Sequence, residues 1–233
     1  ATPGDIDLRS GELIEAVSGF RAASAAAFPA REKLVPPPPV EHSKTAEDLR
    51  FFRGLANQFE SRSPLFKGRT TRVLRLALET NNAAGLKIDP LQLEAAVYMH
   101  DVGMMFLPED AWLKLERMTP EGKQALRSHP EIAAGLLSRI PGWEMAAEMV
   151  AQHHEMPDGA GYPYALGTAS ICDGAKVLAI VDAFEAVMLK HIHRGRNRSV
   201  LRAIAEINAC DNQFSPEWIE PFNQVIRRTL DAR

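Results

Sequence analysis

The sequence predicts an all-α fold, a bundle of roughly eight or more helices, preceded by an N-terminal helix and a proline-rich linker. Three observations predict it. Apolar residues recur at the helical spacing i, i+3, i+4, i+7, as in Leu93, Ala96, Val97 and His100. Helix-start signals, a capping side chain followed by proline, stand at Asp89-Pro90, Thr119-Pro120 and Ser215-Pro216. The alternation expected of half-buried strands is scarce.

Taken in order, residues 1–40 form one unit. A loose helix is expected between Asp7 and Phe28, with Leu8, Leu13, Ile14, Val17 and Phe20 as its apolar positions. Pro29 and the run Pro36-Pro37-Pro38-Pro39 then stop any helix and favour an extended spacer. A lone tetraproline reads as a linker before it reads as a ligand for an aromatic groove. Residues 41–233 form the second unit, nearly all of it helical. Val73, Leu74, Leu76, Ala77 and Leu78 share one helix; Leu93 to His100 follow in a second. Ile132, Leu136, Leu137 and Ile140 make a further stripe. Gly103 is expected to close the helix that carries His100. Trp112, Trp143 and Trp218 are expected in the core or in grooves.

Composition narrows the function classes. The 233 residues are 45% hydrophobic and 24% charged, ordinary globular values that exclude a disordered or collagen-like chain. No apolar run approaches the ~18 residues of a membrane span. The alanine-rich stretch 22–28 is short and has no signal-peptide flanks. A net charge of −3 does not favour a nucleic-acid polymer or an acidic membrane. Two cysteines, Cys172 and Cys210, cannot build a disulfide scaffold, and a reducing cytoplasm fits them. The chain opens on Ala1, as a piece of a longer protein would.

The chemistry is carried by histidines and acids: His100-Asp101, His129, His153-His154 and Asp182. His100 continues an apolar stripe, so it points inward, and Asp101 lies near the same face. The helix around Asp182 is apolar nearly all round, with Val177, Ile180, Val181, Phe184, Val187 and Met188 on one side and Ala179, Ala183 and Ala186 on another. At ~100° per residue, Asp182 lies roughly 140° from Val177. A carboxylate buried there has to be ion-paired, hydrogen-bonded or metal-bound. A lone core histidine is more often hydrogen-bonded than a ligand, and Asp182 alone is equally served by an arginine. Imidazoles and carboxylates in combination suit Fe, Mn, Zn or Ni, and paired ions ~3.5–4 Å apart are a usual device for phosphoester hydrolysis.

The segment His153-His154-Glu155-Met156-Pro157-Asp158-Gly159-Ala160-Gly161-Tyr162-Pro163 resembles the HHExxDGxGYP signature of the HD-GYP family. His100-Asp101-Val102-Gly103 resembles that family's HDxG element, His129-Pro130 its HP element, and residues 179–184 its later helix with a ligand aspartate. The likeness covers roughly residues 45–230. It implies an HD-domain helical bundle, a di- or trinuclear iron or manganese centre, and hydrolysis of cyclic di-GMP to pGpG or GMP in bacterial second-messenger signalling. The implied ligands are His100, Asp101, His129, His153, His154 and Asp182, with Asp101 bridging. Asp101, Arg69 and Glu155 become catalytic candidates. Asp158, Gly161, Tyr162, Pro163 and Arg194 become substrate-side candidates. The implied partners are cyclic di-GMP or a related cyclic dinucleotide, GGDEF-type or other signalling proteins through the Gly161-Tyr162-Pro163 loop, and a second copy of the chain.

This sequence departs from the pattern in several places. Arg69 stands where the resemblance implies a further histidine ligand, three residues before Arg72-Val73. Arginine stays protonated and has no lone pair for a metal. Leu65 stands at the position of the glutamate of trinuclear members, and Met104 at that of a phosphate-contacting lysine. Glu185 replaces a second aspartate. One firm metal position is therefore expected, formed by Asp101, His129, His153 and His154. The second, with His100, Asp101 and Asp182, is weakened or vacant, and Arg69 is expected to fill it by pairing with Asp182. The alternative to a weak enzyme is a catalytically degenerate module that binds a nucleotide or a partner protein. Lys190, Arg194, Arg196, Arg198 and Arg202 read as a solvated basic stretch or as an attractor of an anionic dinucleotide. Arg72 and Arg75 are expected to face solvent or partners.

Overall fold

A computed structural model of the chain describes residues 42–109, 112, 119–190, 196–210 and 212–231. The expected N-terminal helix and proline spacer lie outside these residues. The described residues form helices α1 (His42–Glu60), α2 (Arg69–Ala83), α3 (Pro90–Met99), α4 (Pro120–Leu126), α5 (His129–Leu137), α6 (Glu144–Gln152), α7 (Asp173–Lys190), α8 (Arg196–Asn208) and α9 (Pro216–Asp231). Among them there is no strand; one isolated antiparallel bridge joins Asp158 to Gly167. The all-α prediction holds.

Two of the three start signals work as side-chain caps; at the third, the Ser215 hydroxyl donates to the Glu217 carboxylate (3.2 Å). The Asp89 carboxylate accepts from the N–H groups of Leu91 (2.8 Å) and Gln92 (3.1 Å), and Thr119 Oγ1 accepts from Gly122 (3.1 Å). One cap was not visible in the sequence. Glu60, at the end of α1, reaches across a loop and accepts from Gly68 N–H (2.8 Å) and Thr70 N–H (2.5 Å). An anion at a helix N-terminus also meets the positive end of the helix dipole. This cap fixes where α2 begins, and so where Arg69 stands.

The core is continuous. Phe52, Leu76, Leu93, Leu178, Trp218 and Phe222 are fully buried, and α2, α3, α6 and α7 pack against one another around them. Trp143 and Trp218 are core residues whose indole N–H groups donate to Asp48 (2.9 Å) and Asp173 (3.2 Å). Trp112 is partly buried and stacks on Phe59 and Phe66. As the sequence suggests, α7 is buried along Val177, Ile180, Val181 and Phe184.

Two expectations change. Gly103 does not close the helix. That helix ends at Met99, and Gly103 lies within a 3-10 segment, Val102–Phe106. A Cβ there would come 2.1 Å from the carbonyl oxygen of His129, so only glycine lets α5 approach this closely. Arg72 does not simply face solvent: its Nε donates to the buried Glu185 carboxylate at 2.8 Å, tying α2 to α7. Arg75 is exposed, as expected.

Candidate metal centre

Helix ends bring the six candidate ligands together. His100 and Asp101 leave the C-terminus of α3, His129 opens α5, and His153 and His154 follow α6. Asp182 enters from within α7. His100, Asp101, His129 and His153 are buried, and His154 and Asp182 are partly exposed. The ligand atoms gather in two groups, His129 with His153 and His154, and His100 with Asp101 and Asp182, each within 4.8 Å. Asp101 touches both: Oδ2 lies 3.1 Å from His100 Nε2, and Oδ1 lies 3.6 Å from His129 Nε2. Asp101 thus stands between the two groups.

The histidine group carries free lone pairs. Nδ1 of His129 donates to the Leu126 carbonyl (2.6 Å), and Nδ1 of His153 to the Val150 carbonyl (2.7 Å). Each bond spans three residues back along the chain. It assigns the proton to Nδ1 and leaves Nε2 as the acceptor facing the site. The Nε2 atoms of His129 and His153 are 3.4 Å apart. Two lone pairs aimed at each other at that distance repel unless a cation lies between or beside them. Burial, the largest influence, pushes His129 down to about 4, and pushes His153 and His154 below their ordinary value, so all three imidazoles are neutral near pH 7. Neutral imidazoles and a carboxylate make a donor set that fits a transition-metal ion.

The other group is already neutralised. Arg69 is buried at the start of α2; Nη1 donates to Asp101 Oδ2 and Nη2 to Asp182 Oδ1. Burial works most strongly against the Arg69 charge, but Asp101 and then Asp182 outweigh it and hold the guanidinium protonated. The same pairing keeps both carboxylates below their usual range against their own desolvation. His100 behaves oppositely to its neighbours. Its Nδ1 donates to the Val97 carbonyl (2.8 Å), and its Nε2 faces Asp101 and, at 3.8 Å, Asp182. Despite burial, these acids raise it to about 9, so it carries a proton on both nitrogens. Two cations, Arg69 and His100, thus balance two anions, Asp101 and Asp182. The pairing of Arg69 with Asp182 expected from the sequence is present, and it extends to Asp101.

The remaining sequence candidates sort differently. Glu155 is buried, but its two carboxylate oxygens accept from the N–H groups of Tyr164 (2.6 Å) and Leu166 (2.8 Å). It is committed to bracing the 156–167 loop rather than to the catalytic role expected of it. Asp158 is exposed and accepts from Ala160 N–H (2.9 Å), so it shapes the turn. Gly161 packs so tightly that a Cβ would fall 2.3 Å from the Met156 nitrogen. Pro163 is partly buried in the same loop. Tyr162 lies beside the centre, its ring stacked on His154 with centroids 4.8 Å apart. Arg194 lies outside the described residues. Leu65 is 47% exposed, and Met104 is partly buried. Sequence reasoning missed Arg127, whose guanidinium carbon lies 4.9 Å from the Tyr162 ring centre. Its place two residues before His129 was the available signal.

A family model described as "HD domain" matches residues 54–217. The chain belongs to the HD-domain family. It is 29% identical over 144 residues to a cyclic di-GMP phosphodiesterase of Thermotoga maritima, covering 60% of this chain and 39% of that protein. It is 26% identical over 145 residues to the 3'3'-cGAMP-specific phosphodiesterase 1 of Vibrio cholerae, covering 60% of this chain and 33% of that protein. Together with the 153–163 segment, these relatives place this HD domain in the HD-GYP family. The HD domain spans well under half the length of either relative. Its fold matches an HDG"Y"P protein from Bdellovibrio bacteriovorus, with a TM-score of 0.54 at 18% identity, covering 68% of this chain and 51% of that one.

Proposed function

We propose that this HD-GYP domain binds a cyclic dinucleotide, cyclic di-GMP foremost, and hydrolyses its phosphodiester at a centre with one metal position. One observation carries the reading: the unprotonated Nε2 atoms of His129 and His153 face each other at 3.4 Å, beside His154 and Asp101 Oδ1. His129, His153, His154 and Asp101 would hold the ion, iron or manganese by the family resemblance. When bound, it supplies Lewis-acid activation of water and of the phosphoryl group. The protein does the rest. The carbonyls of Leu126 and Val150 hold two imidazoles in the ligating tautomer. Arg69 keeps Asp101 ionised and turns its second oxygen toward His129. Tyr162 covers His154 on the substrate side.

Arg69 supplies charge where a second ion would sit, but no site for activating water. Each ~1.4 kcal/mol of lost transition-state stabilisation lowers the rate tenfold, so turnover is slow. A second reading, a nucleotide receptor without turnover, is favoured by the same residue, because both arms of its guanidinium are committed to carboxylates. Among the described residues no helix is long and apolar enough to cross a membrane. We place the reaction in the cytoplasm, with GGDEF-type or other signalling proteins as candidate partners of the Gly161-Tyr162-Pro163 loop, and a second copy of the chain as a further candidate partner. The test is metal content per chain with a chromatographic assay for pGpG. One ion with steady product supports the enzyme; one ion with stoichiometric binding and no product supports the receptor; no ion retained by His129 and its neighbours overturns both.

A further inference from the structure

We infer that Arg127 is a phosphate-binding residue of this site, receiving a non-bridging oxygen of the dinucleotide's phosphodiester. The inference rests on the cyclic-dinucleotide reading above and deepens it. Arg127 caps the C-terminus of α4, and its backbone N–H bonds to the Lys123 carbonyl. The preceding residue, Leu126, accepts the Nδ1 proton of His129 at 2.6 Å. The backbone that carries Arg127 is therefore tied directly to a metal-ligand candidate.

The side chain is exposed, and among the described residues no carboxylate pairs with it. Its guanidinium carbon rests 4.9 Å from the centre of the Tyr162 ring, and that ring stacks on the His154 imidazole at 4.8 Å and 23°. His154 in turn packs edge-on against His129. The order guanidinium, phenol ring, imidazole runs from solvent to the candidate ligands. A cation held over an aromatic face keeps its in-plane N–H donors free, and a planar guanidinium suits the paired oxygens of a phosphate.

Other arginines of the described residues are engaged with carboxylates. Arg69 is spent on Asp101 and Asp182, Arg72 on Glu185, and Arg62 on Glu109. Met104 carries no charge. Arg127 thus brings a cation to the Tyr162 side of the centre, where an anionic ligand would approach His154.

The test uses the full chain loaded with Mn²⁺ and a non-hydrolysable phosphorothioate analogue of cyclic di-GMP, titrated by calorimetry at several salt concentrations. Arg127→Gln is expected to weaken binding roughly tenfold or more. Arg127→Lys is expected to recover part of the loss, and Arg127→Glu to abolish saturable binding. The slope of log Kd against log salt is expected to fall by about one ion in Arg127→Gln, with metal content and Tm unchanged. A brace that merely held Tyr162 would leave that slope untouched. Wild-type affinity and slope in Arg127→Gln would overturn the inference while leaving the dinucleotide reading standing. If the wild-type chain itself binds no analogue, the dinucleotide reading fails and the inference falls with it.

Discussion

Arg69, at the start of α2, donates through Nη2 to Asp182, 113 residues further along in α7, while Nη1 reaches Asp101. A side chain that cannot ligate a metal thus holds two carboxylates that could. This contact separates the site into a half prepared for a cation from outside and a half that contains its own.

Returning an imidazole to that position is expected to reopen the second half. Arg69→His supplies a lone pair beside His100, Asp101 and Asp182 and removes the built-in cation. Metal content measured by mass spectrometry is expected to rise from one ion per chain to two. A count that stays at one would show that something other than Arg69 closes the second position. Arg69→Met removes the cation without replacing it and leaves His100 as the one positive partner of buried Asp101 and partly exposed Asp182. It is expected to cost about 3–5 kcal/mol of stability in urea unfolding, the upper range for a single substitution.

The histidine half yields a prediction of opposite sign. Saturating Mn²⁺ is expected to raise the Tm of the wild-type chain, because an ion that binds only the folded state adds stability by mass action. His153→Ala removes one of the two facing Nε2 atoms and is expected to abolish that rise. A metal-dependent rise of unchanged size in His153→Ala would remove His153 from the ligand set.

Much of this arrangement is legible in the sequence, for identifiable reasons. Capping chemistry is local, so Asp89 and Thr119 announce their helices from the residues alone. The six candidate ligands are legible because several imidazoles and carboxylates on apolar helices need partners together. What depends on distant partners is not legible. Glu60 gives no sign that it will cap α2. Arg72 and Glu185 pair across two helices 113 residues apart in sequence. Gly103 resembles a helix stop in sequence, but its constraint is the His129 backbone passing within 2.1 Å of where a Cβ would sit. Glu155 adjoins two candidate ligands in sequence, yet its carboxylate faces the loop amides. The chain turns sharply after His154, and side-chain direction does not follow from adjacency there.

Acid is expected to destabilise the metal-free protein through its imidazoles. His129 has an ordinary value of 6.5 and is pushed down to about 4 by burial, and His153 and His154 shift the same way. The unfolded chain therefore binds more protons than the folded one in this range, and stability falls as pH drops from about 6.5 toward 4. Asp101 and Asp182, held below their usual value, extend the loss further into acid. His100 has the opposite sign: raised to about 9, it contributes stability below 6.5 that is lost as pH climbs through 9. Thermal melts in chelator are expected to show a maximum between these limbs. A Tm that does not change between pH 4 and 6.5 would mean that His129 is not buried as a neutral ring.

The last prediction separates loop support from metal binding. Glu155 holds the 156–167 loop by two backbone N–H groups, at Tyr164 and Leu166. Glu155→Gln keeps the size, but its amide offers a single acceptor oxygen and turns an N–H group toward the other donor. Leaving that partly buried donor unpaired is expected to cost about 1 kcal/mol, the low end for such a loss. The effect should be local: hydrogen exchange is expected to speed up at the Tyr164 and Leu166 amides, while exchange in α2 and α3 stays as in the wild-type chain. Metal content is expected to remain at one ion, because both Glu155 carboxylate oxygens are bonded to loop amides. Loss of the ion in Glu155→Gln, with loop exchange unchanged, would instead return Glu155 to the metal centre.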